Sequence, residues 1–364
     1  FIGLTEEYES EGFDRKHMEL PEVHDALVEA VYKVNPNIVV VLAGGSPVEM
    51  PWYNRVKGII NTYLAGQAGA SALADIIAGI KCPCGKLAET YPMKGSDNPS
   101  YGNFALPQKD VIYKESIYIG YRYYDKAQKK VRFPFGYGLS YTNFEYSKAK
   151  LSKKKIHPGE SIDVTFSIKN TGEFDGAEIA QVYIEKGDTK IYRAPKELKG
   201  FAKVSLNKGE KKSVTVTLDE RAFAFYNTAA NDWCVENGEY TVAIGTSSRD
   251  IVQRIKLVAE GFDYSVMPDY SKIKAYFGTE QNIIGDDEFK KVYGKELPLT
   301  PHKEKSDYNT TISDMSDKGF AKAICKTAEF IADNSKDVNA GMMASATMQT
   351  PVRNFITMSN GLFS

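Results

Sequence analysis

The chain opens on a short apolar run, FIGL, followed directly by a charged loop, ESEGFDRKHMELP. Residues 21–34 then carry apolar side chains at Leu27, Val28, Val31 and Val34 with Pro21 at the first position, a spacing that predicts an amphipathic helix. NIVVVLAGG is a continuous β-branched run, as in a strand buried on both faces of a parallel sheet. VKGIINTYL reads as a weaker strand, GQAGASALADIIAGI as a small-residue helix able to press closely on a sheet, and GKLAETYP closes the series. Alternating strands and helices of this kind predict a mainly parallel α/β layer over residues 1–140.

From about Glu145 the period changes to two. SIDVTFSIKNTG, EIAQVYIEKG, KSVTVTLDE and GEYTVAIGTSS alternate apolar and polar residues between turn residues, which predicts a β-sandwich over residues 141–260. Trp233 and Tyr240, in DWCVENGEYTVAIG, are expected to pack in its core. The tyrosine-dense YKESIYIGYRYYDK supports two readings, a strand edge or a surface that stacks on a ligand. PFGYGLSYTNFEY, with turn glycines between aromatics, has the character of a latch between domains. Beyond Phe262 regularity fades through ELPLTPHKEKSDYNTT, which reads as an extended linker. Two helical patterns, SDKGFAKAICKTAEFIADNS and the Met-rich NAGMMASATMQTPVRNFITMS, end the chain and make residues 261–364 a linker with a helical extension. Methionines at helical spacing are expected to serve as adaptable packing. The expected fold is thus α/β plus all-β: a mainly parallel α/β sandwich domain, a β-sandwich and a helical C-terminal extension.

Composition narrows the function classes. A chain of 364 residues is long enough for two or three domains. Lys+Arg 46 against Asp+Glu 47 gives a net charge of -1, so no global field favours nucleic acid or an anionic membrane, and no run of eighteen apolar residues is present. Cys82 and Cys84 form a CPC pair too tight for an unstrained disulfide and lacking the second pair of a structural zinc site, so all four cysteines read as free thiols. The lack of disulfide patterning leans towards a reducing, cytoplasmic compartment. His17, His24, His157 and His302 are scattered, and there is no GxSxG elbow and no P-loop, so neither metal nor cofactor is expected.

In parallel α/β layers ligands sit beyond the carboxyl ends of the strands. ESEGFDR, GGSPVEMPW and AGQAG each follow a predicted strand, and the three loops are expected to face one crevice. Glu9, Glu11 and Asp14 flank Gly12, which lets the backbone turn freely. A carboxyl group on such a loop can protonate a leaving group if its surroundings hold its proton. The same residues also read as a solvated acidic loop in which Asp14 and Arg15 form a local ion pair of small energetic weight.

Taken together, ESEGFDR with LPEVHDALVEAV, NIVVVLAGGSPVEMPW, YLAGQAGASALADIIAG with CGKLAETYP, YKESIYIGYRYYDK and FPFGYGLSYTNFEY resemble the second half of glycoside hydrolase family 3 enzymes of the β-glucosidase type. IKNTGEFDGAEIAQVYI, APKELKGFAKVSL and DERAFAFYN resemble the fibronectin type III-like domain of the same enzymes, so the resemblance covers about the first 255 residues. It implies a retaining glycosidase that removes terminal non-reducing β-D-glucosyl residues through two carboxylates. The nucleophile would come from a (β/α)8 barrel, and the acid/base from a loop matching SEG, which is Glu11 here with Glu9 as the fallback. Asp14 and Arg15 match the family's DR and would brace that loop.

The sequence departs from the family pattern in having no barrel, in CPCG before KL and in KES where a glycine usually follows the glutamate. The expectation is therefore a fragment, or one of two polypeptides, inactive alone and partnered by the barrel half and a β-glucoside or oligosaccharide, with no nucleic acid or membrane. The alternatives are β-xylosidase or arabinofuranosidase activity on the same fold, and a non-catalytic carbohydrate-binding module.

Overall fold

The computed structural model describes residues 1–10, 15, 17–104, 110–263, 266–278, 284–298, 310–317, 319–335 and 337–354. The chain divides into two compact units, one of Phe1–Ala65, Gly102–Ile112 and Leu297–Ser364, the other of Gly66–Tyr101 and Tyr113–Glu296.

The first unit begins as the alternation requires. Strand β1 (Ile2–Gly3), helix α1 (Glu22–Val34), β2 (Val39–Ala43) and β3 (Gly58–Tyr63) form a parallel sheet in the order β1-β2-β3. Register is fixed by Ile2 opposite Leu42 and Val40 opposite Ile59, and Leu4 N–H extends the ladder to Ala43 O at 2.9 Å. A Cβ on Gly3 would lie 2.0 Å from Ala43 O, so the close approach of β1 to β2 requires glycine there. Val40, Val41 and Leu42 are buried as the apolar run predicts, and Pro21 caps α1. The α1 stripe is narrower than expected. Val28 is buried, but Leu27, Val31 and Val34 are exposed.

The second unit opens with α2 (Gly69–Ile77), which forms as predicted but buries none of its residues, contrary to the close-packing role expected of it. GKLAETYP does not extend the parallel layer: β4 (Tyr91–Pro92) lies in this unit. SIYIGYRYY is neither strand edge nor ligand platform. Gly120, at φ +51, starts helix α3 (Gly120–Lys126), whose Tyr121, Tyr123 and Tyr124 are buried. β5 (Val131–Phe133) then pairs antiparallel with β4. In the latch segment Gly136, at φ +79, brings its carbonyl to Gln181 Nε2 at 3.0 Å, and an added Cβ would collide with that side chain.

The sandwich follows, with β6 (Phe144–Tyr146), β7 (Lys150–Leu151), β8 (Lys155–Ile156), β9 (Ser161–Asn170), β10 (Gly176–Glu185), β11 (Lys196–Leu206), β12 (Lys211–Asp219), β13 (Ala224–Asn227), β14 (Asp232–Val235), β15 (Gly238–Gly245) and β16 (Ile251–Ala259). One sheet runs β11-β10-β15-β16-β8 and the other β12-β9-β6, with β7 also on β9. Their inner faces supply the largest core, including Ile162, Val164, Phe166 and Ile168 from β9 and Val214, Val216 and Leu218 from β12. Tyr240 joins it, and burial pushes its phenol up to about 12. Trp233 does not: it sits 44% exposed on the separate β13–β14 hairpin, beneath the Arg221 guanidinium, because that hairpin belongs to neither main sheet.

After the sandwich, Ile273, Tyr276 and Ile284 close a cluster with Tyr118, Tyr123 and Tyr124, and α4 (Asp286–Tyr293) ends at Gly294 in the left-handed region. Most of the expected linker, and the C-terminal residues from 355, lie outside the described residues. In the first unit, α5 (Gly319–Asn334) and α6 (Val338–Gln349) form the two predicted helices.

Candidate functional site

The loop after β1 turns back at once, with Thr5 O accepting the Tyr8 and Glu9 N–H groups at 2.9 Å. This turn aims Glu9 at the loop after β2. Its Oε2 accepts Gly45 N–H at 2.7 Å, and its Oε1 accepts the Ser46 hydroxyl at 2.8 Å. From the other side Arg15 Nη1 donates to Ser46 Oγ and to Pro47 O, both at 2.9 Å, while Nη2 donates to Glu19 O at 3.3 Å. Both shoulders of the acidic loop therefore meet on Ser46. The rings of Tyr8 and His17 approach edge to face, with centroids 5.9 Å apart.

The receiving loop is itself firmly held. Val48, Met50 and Trp52 are buried, Glu49 N–H donates to Met18 O at 2.8 Å, and Trp52 Nε1 donates to Asp25 Oδ1 on α1 at 2.7 Å. Burial raises the Asp25 carboxyl above the usual carboxylate range in spite of that hydrogen bond. Two charged side chains, Glu9 and Arg15, thus rest on a base built from core residues.

Of the sequence-predicted site residues, Glu9 and Arg15 are brought together through Ser46, whereas Glu11 and Asp14 lie outside the described residues. The AGQAG loop passes into the second unit at Gly66. Ser46 itself went unrecognised in the sequence. Its only signal was its place in GGSP, after the strongest strand. A further contact also escaped sequence reading: the Ser10 hydroxyl lies 2.6 Å from Met342 Sδ on α6. Among the described residues no group of three or more His, Cys, Asp or Glu could hold a metal ion, and no helix is long and apolar enough to cross a membrane.

Residues 1–141 match the glycosyl hydrolase family 3 C-terminal domain, and residues 178–248 match the fibronectin type III-like domain. Thermostable beta-glucosidase B of Acetivibrio thermocellus is 55% identical over 252 residues, covering 69% of this chain and 33% of that protein. An exo-alpha-(1->6)-L-arabinopyranosidase of Bifidobacterium breve is 45% identical over 262 residues, 72% of this chain and 34% of that protein. Among solved structures, the Bifidobacterium adolescentis GH3 beta-glucosidase superposes with a TM-score of 0.70 at 45% identity, covering 74% of this chain and 40% of that one. The chain thus spans about a third of the length of the curated relatives it matches. The sequence matches over the parallel α/β sheet and the β-sandwich, with the likeness to the solved enzyme, identify the chain as carrying the C-terminal domain of glycosyl hydrolase family 3 and a fibronectin type III-like domain.

Proposed function

We propose that this chain supplies the acid/base half of a retaining β-glucosidase, and that Glu11 is the acid/base. In the first step a carboxylate from a (β/α)8 barrel, in the same or a separate polypeptide, attacks the anomeric carbon. The glycosidic bond breaks and the departing oxygen takes the proton of Glu11. In the second step water gives a proton to the Glu11 carboxylate as its oxygen displaces the barrel carboxylate from the sugar, restoring both groups. Such a mechanism needs the two carboxyl groups roughly 5 to 5.5 Å apart, so the site would lie between the barrel and the loop that carries Glu11.

The observation that supports Glu11 over Glu9 is the pairing of Glu9 with Gly45 N–H and the Ser46 hydroxyl. A carboxylate with both oxygens accepting hydrogen bonds from a packed loop acts as a brace, and ESEG offers Glu11 as the other glutamate. Arg15, fixed on the same serine, braces the opposite shoulder, and Asp14, which lies outside the described residues, is assigned a supporting role from its match to the family's DR. The domain limits we assign are 1–140, 141–260 and 261–364.

The substrate we assign is a terminal β-D-glucosyl group, in line with the relatives named beta-glucosidase. A pentosyl substrate is the second reading, favoured by the relatives named exo-alpha-(1->6)-L-arabinopyranosidase at 45% and 44% identity. The test joins the chain to its barrel half and measures a panel of aryl β-glucosides and α-L-arabinopyranosides with Glu11→Ala. Loss of turnover that deepens as the leaving group becomes more basic supports the assignment. A uniform loss, or none, contradicts it, and the fastest sugar decides between the two substrate readings.

A further inference from the structure

The β-sandwich carries two adjoining clefts of about 430 and 440 Å³, volumes usual for small-ligand sites. One is lined by Asp219, Arg221 and Trp233, the other by Phe201, and Lys199 and Thr217 are common to both. The groove they make follows β11 and β12, the edge strands of the two sheets.

Local structure brings each side chain there. Val182 pairs with Gly200 and Tyr183 with Leu198, so Lys199 is the extra residue of a β-bulge. A bulge re-aims the side chain it carries, and this one lines both clefts, with its Nζ 3.5 Å from Glu197 Oε2. Burial lowers the Lys199 pKa from the ordinary lysine value, an effect that Glu197 opposes. The Arg221 guanidinium lies 3.8 Å from the centre of the Trp233 ring, and Tyr226 meets the same ring edge to face at 5.4 Å. The indole is therefore held in place while remaining exposed, and Phe201 offers a second exposed aromatic surface in the adjoining cleft.

We infer that this groove binds a neutral oligosaccharide, which stacks on Trp233 and Phe201 and hydrogen-bonds to Lys199, Asp219 and Arg221. An aromatic plate suits the apolar face of a pyranose ring. Lys199 and Arg221 can only donate and ionised Asp219 can only accept, whereas each sugar hydroxyl does both and can be matched by either. An anion in the groove would meet Asp219, and a cation would meet Lys199 and Arg221. Aromatic surfaces in successive clefts fit a chain of more than one sugar. The inference goes beyond the hydrolytic reading and does not depend on the role of Glu11.

The chain has two tryptophans and Trp52 is fully buried, so acrylamide quenching of tryptophan emission reports on Trp233. The chain is titrated with cellotetraose by this readout and by calorimetry. Saturable binding that shields Trp233 is expected, with glucose binding more weakly. Trp233→Ala should weaken cellotetraose binding by about 10-fold, as should Lys199→Met, which keeps the bulge and the length of the stem and leaves the Trp233 hairpin untouched. Trp233→Phe, which keeps an aromatic plate, should retain binding in calorimetry. Absence of saturable binding, binding unchanged in Lys199→Met, or tighter binding of inorganic phosphate or a glucuronate-bearing oligosaccharide than of cellotetraose overturns the inference.

Discussion

Ser46 is where the hydrogen bonds of Glu9 and Arg15 converge, and a small change there should be felt. Ser46→Ala removes the hydroxyl that donates to Glu9 and accepts from Arg15, leaving two half-buried charged groups each short of a partner. Hydrogen bonds to charged groups contribute about 1.5 to 3 kcal/mol, so thermal or urea unfolding should register a loss of about that size. Asp25 gives a pH signature. Its folded carboxyl, raised chiefly by burial, binds its proton more tightly than the unfolded one. Folding therefore takes up a proton between the ordinary carboxylate range and the raised value. This contribution is fully present below that window and is lost as pH rises through it. Asp25→Asn should flatten that part of a stability profile measured by urea unfolding across the acid range, and an unchanged slope would contradict the assignment. The turn that carries Glu9 was legible in the sequence as the start of a charged segment after a strand. That Glu9 faces Gly45 was not, because it depends on the register that sets Ile2 opposite Leu42.

Elements whose period was unbroken were the easiest to read. In β9 and β12 every apolar residue of the two-residue alternation is buried, since each strand faces a single core. SIYIGYRYY was ambiguous because alternating tyrosines and isoleucines satisfy a strand, while Gly120 can start a helix through its positive φ. The helix prevails because Tyr123 and Tyr124, two adjacent residues, are buried with Tyr118, Ile273 and Tyr276 from distant parts of the chain. Tyr118 Oη donates to Tyr276 O at 2.8 Å within this cluster. Tyr118→Phe should therefore cost about 1 kcal/mol and Tyr118→Ala about 3 to 5 kcal/mol in equilibrium unfolding. Near-neutral values for both would contradict the packing. Trp233 illustrates the opposite error. A large aromatic beside an alternating strand reads as core, but it belongs to the β13–β14 hairpin, which no local pattern separates from the sandwich.

At the scale of the whole molecule, the fold class was legible because strand, helix and turn signals agree over long stretches. The contact of the C-terminal helix with Ser10 was not, since it joins residues 332 positions apart through one side chain. The chain spans about a third of the length of its curated relatives, and we propose that its acid/base works with a nucleophile from a barrel half. We therefore expect this chain alone to turn over no aryl glycoside, and addition of the barrel half to restore hydrolysis. Activity in the isolated chain would require a nucleophile within it. The most direct test of the account is chemical rescue of the joined enzyme carrying Glu11→Ala or Glu9→Ala, with azide supplied as an external nucleophile that needs no deprotonation. If Glu11 is the acid/base of a retaining mechanism, azide accelerates Glu11→Ala on an activated glucoside and yields the β-glucosyl azide, whereas Glu9→Ala gains nothing from azide. Rescue of Glu9→Ala instead, or an α-configured product, would contradict it.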